Sequence, residues 1–192
     1  MTAGVRLEIE APLEVANWRP LVQWLLAIPH FVVLYALTIV LAVFAVVSFF
    51  AILFTGSIPD AIFSFQVMVL RYQWRTYSYA GFLRQSYPRF DFTSSPSDPG
   101  GDPAQLSLPR PDQLNRGLVF VKWLLVIPSA LVLGLVELGA IVAWIVATFA
   151  VLFTGRWPQV LRDLVVGAVR WQLRLNAYVF LLTDEYPPFR LT

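Results

Sequence analysis

Cysteine is missing altogether, histidine occurs once, and charged residues make up only 14% of the 192-residue chain. The first absence excludes disulfides and thiolate metal sites. The second leaves His30 without the partners that a metal cluster or catalytic triad requires. There is also no glycine-rich phosphate loop, serine nucleophile elbow, HExxH helix or catalytic carboxylate pair. No enzyme activity, cofactor, metal or nucleic-acid partner is expected. The shortage of charge is the most telling, because a soluble domain carries about a quarter charged residues. Here 58% of the chain is hydrophobic and the mean hydropathy is +0.66.

The apolar excess sits in two runs, Pro20 to Thr55 and Leu118 to Thr154, in which Lys122 and Glu137 are the only formal charges. The first run follows Glu8, Glu10 and Glu14 instead of a basic n-region, so a cleaved secretory signal is not expected. An integral membrane protein inserted by its own helices is the class that fits.

The two runs belong to a tandem duplication. At an offset of 99 residues, Trp24, Leu25, Leu26, Ile28 and Pro29 superimpose on Trp123, Leu124, Leu125, Ile127 and Pro128. Phe54, Thr55, Gly56 and Pro59 fall on Phe153, Thr154, Gly155 and Pro158, and Arg71, Gln73, Arg75 and Tyr79 fall on Arg170, Gln172, Arg174 and Tyr178. From Trp24 to Thr93, 26 of 70 aligned positions are identical without a gap, including Trp, Pro, Gly and Arg that apolar bias cannot supply. Residues 1–93 and 104–192 are therefore read as two repeats, joined by a flexible polar linker at 94–103.

Each apolar run would be roughly 52 Å long as one straight helix, against a hydrocarbon core of roughly 30 Å. The expectation is a transmembrane hairpin in each copy, 20–55 and 118–154, with Gly134 to Gly139 as the second turn. Nearly all basic residues lie outside the runs, so hairpins keep them, and both termini, on the cytoplasmic side of a multi-pass protein. The alternative is one long, tilted or Pro-kinked helix per copy, which gives an inverted repeat. After each run, Thr-Gly-x-x-Pro predicts a helix stop at Gly56 or Gly155 and a restart at Pro59 or Pro158. The restarted helices, 59–84 and 158–183, carry arginines in their middle and are expected to be amphipathic and interfacial. Period-2 patterns at Val5 to Ile9, Leu106 to Leu108, Phe90 to Phe92 and Phe189 to Leu191 predict short strands at the start and end of each copy.

Arg71, Arg75 and Tyr79, like Arg170, Arg174 and Tyr178, recur every four residues and share one helix face. At headgroup depth such guanidinium groups clamp phosphates, which predicts binding of anionic phospholipid. The competing account is that they only set topology. His30 and Glu137 are candidate intramembrane polar sites, although a satisfied bundle histidine and an exposed turn explain them as well.

In Ile28-Pro29-His30, Phe54-Thr55-Gly56 and Pro59, the Arg71 to Tyr79 segment, Arg170-Trp171, Arg174, Ala177-Tyr178 and Tyr186-Pro187-Pro188-Phe189, the chain resembles a family of bacterial membrane proteins known as domain of unknown function 4389. The resemblance covers both copies and implies the bacterial inner membrane. It departs at Ser129, where His is expected, and at Arg89, where the second Pro is expected. The functional expectation is a non-enzymatic membrane subunit or scaffold that forms homo-oligomers or binds a larger membrane partner and anionic lipid. A transporter or channel component with a pathway between the repeats is the alternative, and an enzyme acting on lipid head groups is a distant third.

Overall fold

The computed structural model describes residues 5–10 and 12–191; both chain ends, expected on the cytoplasmic side, lie outside them. The order of elements is β1 (Arg6–Ile9), α1 (Arg19–Leu26), α2 (Ile28–Thr55), α3 (Asp60–Ala80), β2 (Ala104–Ser107), α4 (Leu118–Thr154) and α5 (Gln159–Val179). The protein is mainly helical, and α2 and α4 are long and apolar enough to cross a membrane by length and composition.

The hairpins expected at 20–55 and 118–154 do not form. The second run is one uninterrupted 37-residue helix, with Pro128 inside it. The first is divided only by a local break at Ala27, just ahead of Pro29. Gly134 and Gly139 face open space within α4. Each costs only about 1 kcal/mol in a helix, and the neighbouring Leu, Val, Glu and Ala offer no turn chemistry to help them break it. One long helix per copy is the arrangement adopted.

The stop-and-restart signal reads true. Gly56 (φ +77°) and Gly155 (φ +67°) close α2 and α4 in the left-handed conformation, each amide donating to the carbonyl four residues back. Pro59 and Pro158 then cap the next helices. Those helices double back: His30 meets Tyr72 and Ser48 meets Gln66 along α2 and α3, while Ser129 meets Trp171 along α4 and α5 and Lys122 reaches Thr183 just past α5. Most of α3 is buried, packed between α2, α5 and the strand β2. Both end on a left-handed residue other than glycine, Phe82 (φ +46°) and Leu181 (φ +68°), at equivalent positions. Their apolar side chains are buried, which holds a conformation that an exposed side chain would not favour.

The leading strands of the copies pair antiparallel, with Leu7 opposite Leu106. The trailing strands expected at Phe90 to Phe92 and Phe189 to Leu191 are not strands. Their rings instead cover the helices: Phe90 stacks on His30, Phe92 on Tyr72, and Phe189 meets Trp171 edge-on.

The copies interlock reciprocally. The Leu114 amide donates to Gly56 O at 2.8 Å, and the equivalent Val15 amide donates to Gly155 O at 2.8 Å. Each long helix therefore begins beside the end of the other. Phe49 near the end of α2 packs on Phe120 and Trp123 at the start of α4. The long helices are antiparallel, and their outward faces expose Val32, Val43, Phe54, Leu124, Leu135 and Phe153 among many other apolar side chains.

Candidate functional site

The densest polar chemistry lies on α3, beneath the segment expected to be a flexible linker. That segment is a folded strap. Asp98 and Asp102 project inward, with side chains only 4% and 8% exposed, and the Leu108 amide bonds Pro96 O. Arg71 pairs with Asp98 through Nε at 3.2 Å. Its guanidinium also donates to the carbonyls of Leu106, Thr93, Ser95 and Ser97. Arg75 bonds Asp91 at 2.8 Å and Asp98 at 3.1 Å, with Asp102 3.8 Å away. Arg84 pairs with Asp102 through two nitrogens. Three arginines thus meet three aspartates inside the protein.

This corrects the assignment of Arg71 and Arg75 as headgroup ligands: both residues are 2% exposed and their donors are taken. The physical reason is that a guanidinium removed from water needs a counter-charge, and the strap brings one. Tyr79 is also buried, its ring edge-on to Tyr87. Asp91 is held down to about 2, first by its hydrogen bond from the Thr93 hydroxyl and then by Arg75.

The second copy is built differently. Position 190, equivalent to Asp91, is an arginine, so Arg170, Arg174 and Arg190 line a pocket of about 200 Å³ with Val5 and Leu7. Burial pulls Arg170 below its ordinary value, opposed by Asp163 and Glu8, and its Nε is buried without a hydrogen-bond acceptor. Arg174 donates to Arg190 O at 2.9 Å. Tyr178 is buried beneath the Lys122 ammonium, 5.2 Å from the ring centre, and Lys122 pairs with Asp184 at 2.7 Å.

His30 and Glu137 are not brought together. His30 is fully buried, shares a 2.6 Å hydrogen bond with the Tyr72 hydroxyl, and stacks on Phe90. The second copy makes the same link from equivalent positions with other chemistry, the Trp171 indole donating to Ser129 Oγ at 3.2 Å. Glu137 is half-buried and lines a largely apolar groove of about 280 Å³ between α4 and α5, with Trp144 and Gln172. Its Oε1 has no hydrogen-bond partner.

Sequence reasoning overlooked Gln23, Asp98 and Asp102. Gln23 Nε2 donates to the carbonyls of Tyr79 and Arg84, as Lys122, its counterpart, donates to Thr183 O. The available signal was the pairing of a Gln with a Lys one turn into each apolar run. For the aspartates it was the acidic spacing of the strap opposite an arginine stripe. Among the described residues no three His, Asp or Glu side chains gather as a metal site.

No curated protein and no solved structure matches the chain. Residues 17–91 and 116–190 each match one family, so two tandem copies make up most of the chain, which belongs to the family described as Domain of unknown function (DUF4389).

Proposed function

We propose that this protein is a non-enzymatic membrane scaffold of the bacterial inner membrane, held by its two long helices and presenting a polar sheet-and-strap surface to partners. The observation that carries the reading is a separation of faces. Charged groups are absent from the exposed faces of α2 and α4, where Lys122 is buried and Glu137 is turned into the α5 groove, whereas the exposed side of the sheet carries Arg6, Glu8 and Gln105. A monomer in water rarely exposes an apolar patch of more than a few hundred Å², and two helices of roughly 42 and 55 Å exceed that.

Anionic groups, of a lipid or of a partner, have a natural place at the pocket of Arg170, Arg174 and Arg190, because a guanidinium cluster favours phosphate or carboxylate. Association with further copies or with a larger membrane protein belongs to the same reading, since a scaffold acts through what it holds. The transport alternative has less behind it. His30 is closed off by aromatic rings, and the groove at Glu137 is lined by α4 and α5 alone rather than by both repeats.

The test is flotation of the purified chain with liposomes, together with its retention in cell membranes after an alkaline carbonate wash. Recovery in the lipid fraction is expected. A chain that stays soluble and monodisperse without detergent would remove the membrane reading.

A further inference from the structure

We infer that α2 and α4 lie flat in one leaflet of the bilayer instead of crossing it, so that the surface they share is a lipid-immersed face and its occupant is the acyl layer of that leaflet. This rests on the membrane reading above and adds the way the protein is seated.

The two copies are related by an approximate twofold symmetry. The reciprocal bonds from Leu114 to Gly56 and from Val15 to Gly155 join positions that exchange under the 99-residue offset, and Leu7 pairs with its own counterpart, Leu106. A pseudo-twofold axis therefore passes through the centre of the sheet. Because it relates two antiparallel long helices, it is perpendicular to both, and the sheet stands over the middle of their length. The sheet packs on α3 and α3 packs on α2, so the layers run from the polar sheet, through the buried helices, to the apolar pair.

Upright helices would set that sheet, with Arg6 and Glu8 exposed, at the depth of the bilayer centre, where charge is least tolerated. Length argues the same way. At 37 residues, α4 is about 55 Å long and would need a tilt of about 57° to fit a hydrocarbon core of about 30 Å, beyond the usual 0–40°. Its exposed apolar residues continue from Phe120 to Phe153, well past what a crossing would use. Laid flat, every one of these side chains meets lipid, exposed Trp18, Trp24 and Trp123 sit near the helix ends at headgroup level, and the sheet faces water. A lone interfacial helix needs a polar face of its own. Here the α3 and α5 layer takes that place.

The absence of native cysteine makes single-cysteine labelling direct. Ser57→Cys and Arg156→Cys follow the ends of the two long helices, and Gln105→Cys reports the sheet. In sealed membrane vesicles of known orientation, an impermeant maleimide is expected to label all three from the same side. Fluorophores at Val32→Cys, Val43→Cys and Phe54→Cys in phospholipid vesicles are expected to be quenched by nitroxides at one and the same shallow acyl position. Labelling of Ser57→Cys and Arg156→Cys from opposite sides, or deeper quenching at Val43→Cys than at the ends, overturns the flat seating while leaving the membrane reading intact. Loss of all quenching in chains that still float with lipid overturns it in favour of a protein cover over this face. Failure to float overturns both.

Discussion

Removing the Asp98 carboxylate should expose how far this fold depends on compensating its buried arginines. Arg71, Arg75 and Arg84 face Asp91, Asp98 and Asp102, three charges against three, and Asp98 touches both Arg71 and Arg75. It also accepts hydrogen bonds from the amides of Gly100 and Leu106. In Asp98→Ala three buried guanidiniums share two carboxylates, of which Asp91 is 25% exposed. Breaking a buried ion pair costs about 3 to 5 kcal/mol. The low end applies here, because Arg71 keeps four carbonyl acceptors and Arg75 keeps Asp91. A loss of about 3 kcal/mol corresponds to a fall in Tm of about 6 to 12 °C for a chain of this size, read by thermal unfolding in a mild detergent. Asp98→Asn retains the shape and should lose most of the same stability. Arg71→Met should cost less in the Asp98→Ala background than in the native one, because the stranded charge is gone. If both Asp98 variants melt within about 2 °C of the native protein, the strap is incidental and the account of the arginines fails.

Asp91, depressed to about 2 by Thr93 and Arg75, stabilises the fold fully above its unfolded value near 3.8 and loses that contribution as pH falls toward 2; unfolding followed from pH 5 to pH 2 should be less steep in Asp91→Asn. A methyl group at position 167 would lie 2.6 Å from Leu191 Cβ and 2.9 Å from its carbonyl, so Gly167→Ala should cost about 1 to 3 kcal/mol and speed proteolysis within 186–191, as followed by mass spectrometry. His30→Ser leaves Tyr72 facing a cavity, whereas His30→Ser with Tyr72→Trp installs the pair that the second copy already uses; the double variant should be more stable than the sum of the two single losses by about 1 kcal/mol in a double-mutant cycle. Leu135→Lys and Phe153→Lys, at side chains 73% and 83% exposed, should weaken liposome flotation without lowering Tm.

Local chemistry was legible in the sequence wherever one residue decides a conformation. Gly56 and Gly155 end their helices, Pro59 and Pro158 start the next, and the 99-residue offset exposed the duplication together with the strand pair that sits on its axis. What failed depended on partners distant in the chain. Nothing near Arg71 reveals that Asp98 will fold back onto it, so a stripe at helical spacing reads as a surface feature when it is a core one. The hairpin rested instead on run length against bilayer thickness and on keeping the basic residues on one side, and neither consideration breaks a helix locally, so the second run stays one continuous helix. Phe82 and Leu181 show the complementary limit, since their left-handed backbone is held by burial rather than by any local signal.

The duplication also shows which parts of the unit are exchangeable. A polar side chain near the start of each apolar run, Gln23 in α1 or Lys122 in α4, must reach a carbonyl just past the buried helix, Arg84 O or Thr183 O, and two different chemistries do so. A side-chain hydrogen bond must join positions 30 and 72, or 129 and 171, and a larger ring on one side goes with a smaller group on the other. The charge beneath the sheet is not held constant in this way. Asp91 neutralises Arg75 in the first copy, and Arg190 adds positive charge at the equivalent place in the second. Packing constrains volume and hydrogen bonding in both halves, because both must cover the same helices. The hydrogen bonds that join the long and buried helices therefore recur in both halves, whereas the carboxylate that faces Arg75 in the first copy is replaced by an arginine at position 190 of the second.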